Sequence, residues 1–498
     1  MEPFVLLAAL YFFWYPSSFP AKNATSGIER GEWLWLLALI LPIIIVNFLA
    51  NNRIRIQSLR QVPALILIPM AYGVLFVNVF IYDGISTDID RADYIPLLTL
   101  LTPVILLRLI SYKRLWTRTP LDVFMLAFIL ACVFNVESAP HTRGINMIAR
   151  PLLGIWLVIY LTELARTTKK ISGVLWIMLS LSLLIGLMSI GATQWLDKWG
   201  DFKWIISRIP RIELFFAPGG FNPNEIAGAL TWLVPLMGGL VFYKYNTDDK
   251  ENNLSITFYN YTWRILTAIS FCMLSTGLLL GQSRSAILGV VASTIIITAV
   301  IAIRRVAKNR FSSRWGYATL GTMILSLLLL LSVALYPKLE SSFNSEDSMA
   351  HRQAIWNYAL SVIGDHPLTG VGMGHFRYMA NNDAEVAAFN LFVPHAHNEL
   401  IQITTDLGLP GLLFFLGLNA ATAYMLWICW KQGSGNDQIL VTAVGGGLLA
   451  HAIYGIGDAI PIWDRFSFIY WLMIAFVAAQ YTLTRQQSDL VENNVQHL

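Results

Sequence analysis

Apolar runs of membrane-crossing length alternate with short polar loops along most of this 498-residue chain. A helix needs about 17–25 apolar residues to cross the hydrocarbon layer of a bilayer, and helix-breaking residues separate runs of about this length. Two of the runs, 121–136 and 151–165, are short for spanning. The pattern predicts an all-α fold, a polytopic transmembrane helical bundle of about 12–14 helices. We place the helices near 3–16, 33–50, 62–82, 95–110, 121–136, 151–165, 171–193, 226–243, 265–280, 286–303, 317–336, 408–430, 438–456 and 466–483.

Composition supports the same class of protein. The chain is 56% hydrophobic and 13% charged, whereas soluble domains carry about 25% charged residues. Residues 1–15 form an apolar, aromatic run without a basic leader or a small-residue cleavage site, so we expect a retained first helix rather than a signal peptide. The three cysteines lie in apolar runs and predict neither a disulfide nor a metal site.

The distribution of basic residues predicts the orientation in the membrane. Lysine and arginine concentrate in alternate loops, at 53–60, 113–118, 166–170 and 304–314. By the positive-inside rule these loops are cytoplasmic. Both termini are then cytoplasmic, and the long polar segment at about 337–406 lies outside.

This external segment gathers most of the histidines of the chain. Five of the eight lie in it: His351, His366, His375, His395 and His397. Histidine is the usual proton-transfer side chain because its pKa lies nearest neutrality. The segment is therefore the predicted place of chemistry.

The same segment has readable local structure. An amphipathic helix, able to lie on the membrane, is predicted around 352–363, with one face formed by Ile355, Trp356, Ala359, Leu360 and Ile363. Its end is followed by three glycines that permit a reversal with positive φ, Gly370, Gly372 and Gly374. Further on, Asn398 is a predicted N-cap for a helix that Gly408 and Pro410 stop.

Four external segments can converge on one site, because the charge pattern puts them on one side of the membrane. They are 193–225, 281–285, 337–406 and 457–461. Arg284 in the second segment has two interpretations: a boundary arginine that reaches for headgroups, or an anion clamp beside the free N–H groups of a helix that starts near Ser285. Arg208 and Arg211, in a Trp-rich stretch, have the same two interpretations.

The residue spacing argues against several cofactors. His395 and His397 do not share a helix face, and no H-E-x-x-H pattern follows them, so we predict no metal. A nucleotide-binding motif is also absent from the sequence, which favours a substrate already activated in the membrane.

Four motifs together resemble the O-antigen ligase/polymerase family. They are GQSRSA at 281–286, RQAIW at 352–356, HPLTGVGMGHF at 366–376, and HNEL through GLPG at 397–411. The resemblance covers roughly 210–420 and implies a bacterial inner-membrane protein with its active site on the periplasmic side. It also implies transfer of a glycan from undecaprenyl diphosphate, with inversion and without a metal or other cofactor. The implied partners are this lipid-linked donor, a lipid or glycan acceptor such as lipid A–core, and membrane lipids, with no nucleic acid.

The resemblance also implies roles for particular residues. His397 would be the general base and Arg284 a diphosphate clamp, with Arg211 as the second clamp and Arg208 as its competitor. Possible supporting residues are His395, Asn398 and Arg352. Whether His395 or His397 acts is open at this point, and His397 is favoured because it immediately precedes Asn398.

The resemblance divides the chain into three parts: N-terminal transmembrane helices (1–205), an O-antigen ligase-like core with the periplasmic loop 337–406 (206–430), and C-terminal transmembrane helices with a cytoplasmic tail (431–498). The leading hypothesis is a ligase that delivers the glycan to a lipid A–core or similar hydroxyl. A polymerase with the same residues is the alternative. A membrane transporter is a less favoured alternative. A transporter should carry mid-membrane charges and repeated halves, and the sequence shows few such charges and no repeated half.

Overall fold

The computed structural model describes residues 117–135, 143–194, 207–213, 219–244, 253–307, 345–433 and 435–496. The chain divides into two compact units, Met1–Arg118 and Thr119–Leu498, and nearly all described residues belong to the second. The helices predicted at 3–16, 33–50, 62–82, 95–110 and 317–336 lie outside the described residues.

The described residues are helical apart from loops and one isolated bridge between Thr193 and Phe221. Their helices are α1 (Asp122–Asn135), α2 (Arg143–Thr168), α3 (Ser172–Gly191), α4 (Pro223–Leu240), α5 (Asn253–Gly281), α6 (Arg284–Ala307), α7 (Ser345–Asp365), α8 (Phe376–Asn382), α9 (Ala384–Ala387), α10 (Glu399–Gln432), α11 (Asn436–Gly457) and α12 (Ser467–Gln496). Six of them, α3, α5, α6, α10, α11 and α12, contain stretches long and apolar enough to cross a membrane. The all-α, multi-pass prediction is confirmed.

Several helices extend beyond their predicted ends. α2 begins at Arg143 rather than near 151, α5 begins at Asn253 rather than near 265, and α12 continues to Gln496 rather than ending near 483. The added turns are polar, so a hydropathy pattern does not include them. In α2 the side chain of Arg150 is buried and donates to the carbonyl oxygen of Trp463. A partner distant in the sequence thus satisfies a charge that would otherwise be costly to bury.

Helix α4 lies among α3, α5, α6 and α11, and most of its side chains are buried. Small residues let these helices approach closely, as is common in membrane bundles. A Cβ built on Gly447 of α11 would collide with the carbonyl oxygen of Trp232 in α4. This contact fixes the height of α11 against the centre of the bundle.

The predicted amphipathic helix at 352–363 is part of α7, but its buried face differs from the prediction. Ile355, Ala359 and Val362 are buried, whereas Leu360 is 57% exposed. The buried face packs within the external segment itself, against a cluster formed by Val371, Phe376, Ala380, Val386, Val393 and Ala396. The segment uses Ile355 and Ala359 of the predicted face to build its own core, whereas membrane contact through the exposed Leu360 stays a prediction.

The glycine predictions for the same segment are confirmed. Gly370, Gly372 and Gly374 all have positive φ, and α10 is broken at Gly408, where φ is 68°. The glycine-rich loop packs against this break: the N–H of Leu409 donates to the carbonyl oxygen of Pro367. A side chain at Gly408 would meet the backbone of the loop, so glycine is required there for both conformation and space.

Candidate active site

His397 and Asp458 form a hydrogen-bonded pair at the ends of two membrane helices. The Nδ1 of His397 lies 2.9 Å from Oδ1 of Asp458. His397 stands just before α10, whose N-cap Asn398 accepts the N–H of Ile401 as predicted, and Asp458 directly follows α11. The side chain of Asp458 is 2% exposed and that of His397 is 17% exposed. The carboxylate is thus buried behind an imidazole that solvent or substrate can reach.

The hydrogen bond selects the tautomer of His397. An ionised carboxylate accepts hydrogen bonds but cannot donate, so Nδ1 of a neutral imidazole must carry the hydrogen. This assignment follows from the hydrogen-bond partner rather than from an observed proton. It leaves a lone pair on Nε2, which is the atom that a general base uses.

The surroundings of Asp458 keep it ionised. Its Oδ1 also accepts the N–H of Ala459, at 3.0 Å, and its Oδ2 lies 3.7 Å from Nη2 of Arg352. Burial favours the neutral acid, but the hydrogen bond from His397 and the positive charge of Arg352, with the charges that His397 and His395 carry when protonated, outweigh it and lower the pKa of Asp458 to about 2.

His395 supports the backbone of His397. Its Nδ1 accepts the N–H of His397 at 3.2 Å, and the two rings meet edge to face with centroids 4.5 Å apart. Burial, reinforced by the charge that His397 carries when protonated, lowers the pKa of His395 to about 3. A neutral His395 with its Nδ1 engaged carries its hydrogen on Nε2, which lies 4.0 Å from Oδ1 of Asp458. His397 is therefore the better placed of the two to accept a proton.

Residues of the external segment hold the 456–460 turn that carries Asp458. Asn398 Nδ2 donates to the carbonyl oxygen of Ile456 at 2.9 Å, and Arg352 Nη1 donates to that of Gly457 at 2.7 Å. The N–H of Ile460 donates to Oε2 of Glu399 at 3.2 Å. Three supports thus bracket the aspartate. The predicted supporting residues Asn398 and Arg352 lie in this site, and Glu399 joins them.

The backbone of His397 is in the left-handed region, with φ at 48°. This conformation is uncommon for a residue other than glycine, and it persists where the surroundings over-determine it, frequently at functional sites. Here the surroundings are the bond from its N–H to His395, the Asn398 cap and the Asp458 pair.

Arg284 lies beside the turn of Asp458, at the first position of α6, and its side chain is exposed. The predicted helix start near Ser285 is confirmed to within one residue. A Cβ built on Gly457 would lie 2.9 Å from Oγ of Ser285, so the two segments touch. The arginine thus stands at a helix N-terminus next to the carboxylate turn, where N–H groups and the helix dipole favour an anion.

Arg208 and Arg211 lie on a separate segment. Both are exposed, and the N–H of the neighbouring Ile212 donates to the carbonyl oxygen of Gly191 at 2.7 Å, which anchors the segment to the end of α3. Nothing in this anchoring brings either arginine to His397. The choice between them as a clamp stays a prediction.

The other three histidines of the external segment have surroundings of their own, although His351 is close enough to His397 for the two to interact electrostatically. His351 is buried on α7 against the ring of Phe389, His366 is exposed at the end of α7, and His375 precedes α8. Of the histidines that cluster in the sequence, His395 and His397 are the two whose rings meet. Their buried partner Asp458 was placed in a converging segment by the sequence, but it was not predicted as a site residue.

The donor atoms of His395, His397 and Asp458 lie within 4.8 Å of one another, close enough to be tested as a metal site. Oδ1 of Asp458 already accepts two N–H donors, and a guanidinium faces Oδ2. A cation would have to displace the N–H donors from Oδ1 and would be repelled by the guanidinium of Arg352. This donor set suits a hydrogen-bonded pair better than a metal ion.

The fold and the site define a multi-pass membrane protein with an aspartate–histidine pair at the ends of its helices. Residues 268–416 match the family model described as O-Antigen ligase, which confirms the resemblance over this part of the chain. The matched part includes Arg284, Arg352, His395 and His397, whereas Asp458 lies beyond it. The match supports an enzyme role within the ligase/polymerase family.

Similar proteins come from Rickettsia and carry the name "Putative polysaccharide ligase". The protein of Rickettsia conorii is 34% identical over 84 residues, 16% of this chain and 20% of the relative. The protein of Rickettsia felis is 34% identical over 84 residues, which are 16% of this chain and 21% of the relative. The protein of Rickettsia bellii is 36% identical over 76 residues, which are 14% of this chain and 19% of the relative. The matched stretch thus spans about a fifth of the length of these relatives.

Proposed function

We propose that this protein is an O-antigen-ligase-type glycosyltransferase of a bacterial inner membrane, with its active site on the periplasmic face. It would move a glycan from undecaprenyl diphosphate to a hydroxyl of lipid A–core or a similar acceptor, with inversion and without a metal. The observation that carries the proposal is the His397–Asp458 pair, because it leaves the Nε2 lone pair of His397 free to act as a base.

In the proposed reaction, the acceptor oxygen forms a bond to the anomeric carbon as the bond from that carbon to the diphosphate oxygen breaks. His397 Nε2 takes the hydroxyl proton, and Asp458 stabilises the imidazolium that results. Attack from the face opposite the leaving group inverts the anomeric centre. A general base of this kind contributes about 10²–10⁴-fold to the rate. The leaving diphosphate carries away the bonding electron pair, so its negative charge grows during the reaction.

We assign neutralisation of that charge to Arg284. Its exposed guanidinium at the N-terminus of α6 supports this role, because cations and free backbone N–H groups aimed at developing charge lower the barrier. Arg211 is the proposed second clamp, with Arg208 as the competing choice. Two exposed apolar side chains near the pair, Leu400 at 42% and Ile456 at 64%, provide a surface along which a polyprenyl chain could approach.

The proposal is tested in cells with His397→Ala and Arg284→Ala. Arg264→Ala is the matched control, because Arg264 is also an exposed arginine on a membrane helix, α5, but is not part of the proposed site. We expect both site variants to lose surface polysaccharide while full-length polymer accumulates on undecaprenyl diphosphate. The control should behave like wild type. Membrane levels of all variants are measured alongside.

Other outcomes separate the alternatives. Accumulation of single lipid-linked repeat units would indicate a polymerase that uses the same residues. If both site variants are present at wild-type levels and surface polysaccharide is unchanged, the catalytic assignment is lost, and a protein without chemistry, such as a transporter, becomes the better description.

A further inference from the structure

A buried carboxylate behind the site, Asp406 in α10, connects the two segments that carry His397 and Asp458. It is 2% exposed and accepts three hydrogen bonds. Gln402 Nε2 donates to Oδ2 at 2.9 Å, Trp463 Nε1 donates to Oδ2 at 2.7 Å, and the N–H of Gly374 donates to Oδ1 at 3.2 Å. Each donor comes from a different part of the fold: α10, the loop before α12, and the glycine-rich loop.

The first of these bonds continues to the histidine segment. Because Gln402 uses its amide nitrogen on Asp406, its Oε1 points the other way and accepts the N–H of Ala396 at 2.7 Å. Ala396 is fully buried, so this N–H would have no solvent partner without Gln402. Ala396 lies between His395 and His397, and its carbonyl oxygen accepts Trp356 Nε1 at 2.9 Å. Both the N–H and the carbonyl oxygen of Ala396 are thus held by side chains of other segments.

The second bond continues to the aspartate segment. Trp463 lies five residues after Asp458 in the same loop, and its carbonyl oxygen accepts the buried side chain of Arg150. Its indole N–H on Asp406 ties this loop to α10. One carboxylate therefore holds the loop of Asp458 directly and the backbone of His397 through a glutamine.

We propose that Asp406 and Gln402 are positioning residues that set the distance between His397 and Asp458. This inference rests on the proposed function and deepens it. Neither side chain touches substrate in the proposed reaction. Asp406 and Gln402 act by holding the backbone of Ala396, and with it the left-handed backbone of His397, next to the loop that carries Asp458. A buried acceptor group with three donors is suited to this task because buried hydrogen bonds are costly to break.

The test is Gln402→Met, which keeps the length of the side chain and removes both hydrogen bonds, with Asp406→Asn as a second variant. Gln480→Met is the matched control: Gln480 in α12 is also buried and donates to an aspartate, Asp437, at 3.2 Å. The full-length protein in detergent is given an undecaprenyl-diphosphate-linked glycan and an acceptor, and kcat, KM and Tm are measured for each variant.

We expect Gln402→Met to lower kcat by about 10-fold to 100-fold, since a misplacement of about 1 Å can cost about 10²-fold. The KM for the donor should change by less than about twofold, because the donor is not bound by these residues. Gln480→Met should lower Tm to a similar extent but keep kcat. A Gln402→Met kcat near wild type, or an equal loss in the Gln480→Met control, overturns the positioning role.

These outcomes are distinguishable from failure of the proposed function. If His397→Ala keeps wild-type kcat, the base assignment fails, whatever Gln402 does. If His397→Ala is inactive and Gln402→Met is not impaired, only the positioning inference fails. Asp406→Asn checks the three accepted hydrogen bonds separately: it keeps the shape of the side chain but presents an amide N–H where a donor now stands, so it should lower kcat in the same direction.

Discussion

The substitution Asp458→Asn tests the centre of the proposed mechanism with little change in shape. The new amide has two ways to sit. With its oxygen in the place of Oδ1 it keeps the bonds from His397 and Ala459, but its NH₂ then faces the guanidinium of Arg352. With its nitrogen there it donates to His397, which moves the imidazole hydrogen to Nε2, so the base can no longer accept a proton. In both cases the negative charge behind the imidazole is lost.

The size of the effect follows from the charge pair. The His397 ring nitrogen and the Asp458 oxygen lie 2.9 Å apart, which puts the centres of the two charges about 4 Å apart once the proton has moved. At an effective dielectric constant of about 20, two unit charges at about 4 Å attract by about 4 kcal/mol. Removing this attraction from the transition state lowers turnover by about 10³-fold. A change of rotamer or an inserted water would reduce the loss.

The assay is single-turnover transfer from an undecaprenyl-diphosphate-linked glycan by purified protein, with the rate expressed per folded molecule. The control is Asp437→Asn, a carboxylate near the opposite end of α11 whose partner is Gln480. It should keep turnover within about twofold of wild type, since it lies outside the proposed site. If Asp458→Asn retains more than about a tenth of wild-type turnover, the attraction calculated above does not act in the transition state, and the paired-base reasoning is refuted.

Three further predictions concern Arg352 in the site and two residues outside it, Asp464 and Gly408. Arg352→Ala should lower turnover by about 10-fold, which is less than the loss expected for Asp458→Asn. The substitution removes one support of the turn and a charge 3.7 Å from Oδ2 of Asp458, but it leaves the His397–Asp458 pair intact. Turnover equal to that of wild type in the single-turnover assay would contradict this. Burial and the charge of Glu225 raise the pKa of Asp464 to about 7. Because the folded protein holds this proton more tightly than the unfolded chain, the stability present below about pH 4 should be lost as the pH rises through about 7. Asp464→Asn should therefore flatten the dependence of Tm on pH between about pH 5 and pH 8. Gly408→Ala should destabilise the protein by about 1–3 kcal/mol because φ there is 68° and the loop backbone is close, whereas Gly364→Ala, with open space around its Cβ, should not lower the chemical-denaturation midpoint.

The parts of the fold that were predictable from the sequence are those set by nearby residues. Asn398 caps a helix through the N–H of Ile401, three residues on, and Gly408 breaks that helix through its own φ. Membrane runs are similarly local, because hydrocarbon thickness alone sets their length. Such features need no knowledge of what lies across the bundle, and they were predicted within a few residues.

The parts that were not predictable depend on distant partners. Asp458 lies 61 residues after His397, and the sequence between them is mostly two membrane helices, so no spacing rule pairs them. The buried Arg150 lies in the part of α2 that was not predicted, and its acceptor Trp463 comes 313 residues later in the chain. The sequence predicted that the apolar face of α7 could lie on the membrane, because the residues that cover part of it, such as Phe376 and Val393, come later in the chain. A pattern along one segment shows that a face is apolar but not what covers it.

The position of the pair is finally a matter of helix packing within the bundle. α6, which begins at Arg284, packs on α11, which ends just before Asp458. A Cβ built on Gly289 would collide with the carbonyl oxygen of Ala450, so the two backbones are in close contact. This contact is five residues from the arginine and eight from the aspartate. In the proposed mechanism this contact therefore fixes the position of Arg284, which receives the leaving diphosphate, relative to Asp458, which supports the base. The external segment then only has to bring His397 next to Asp458.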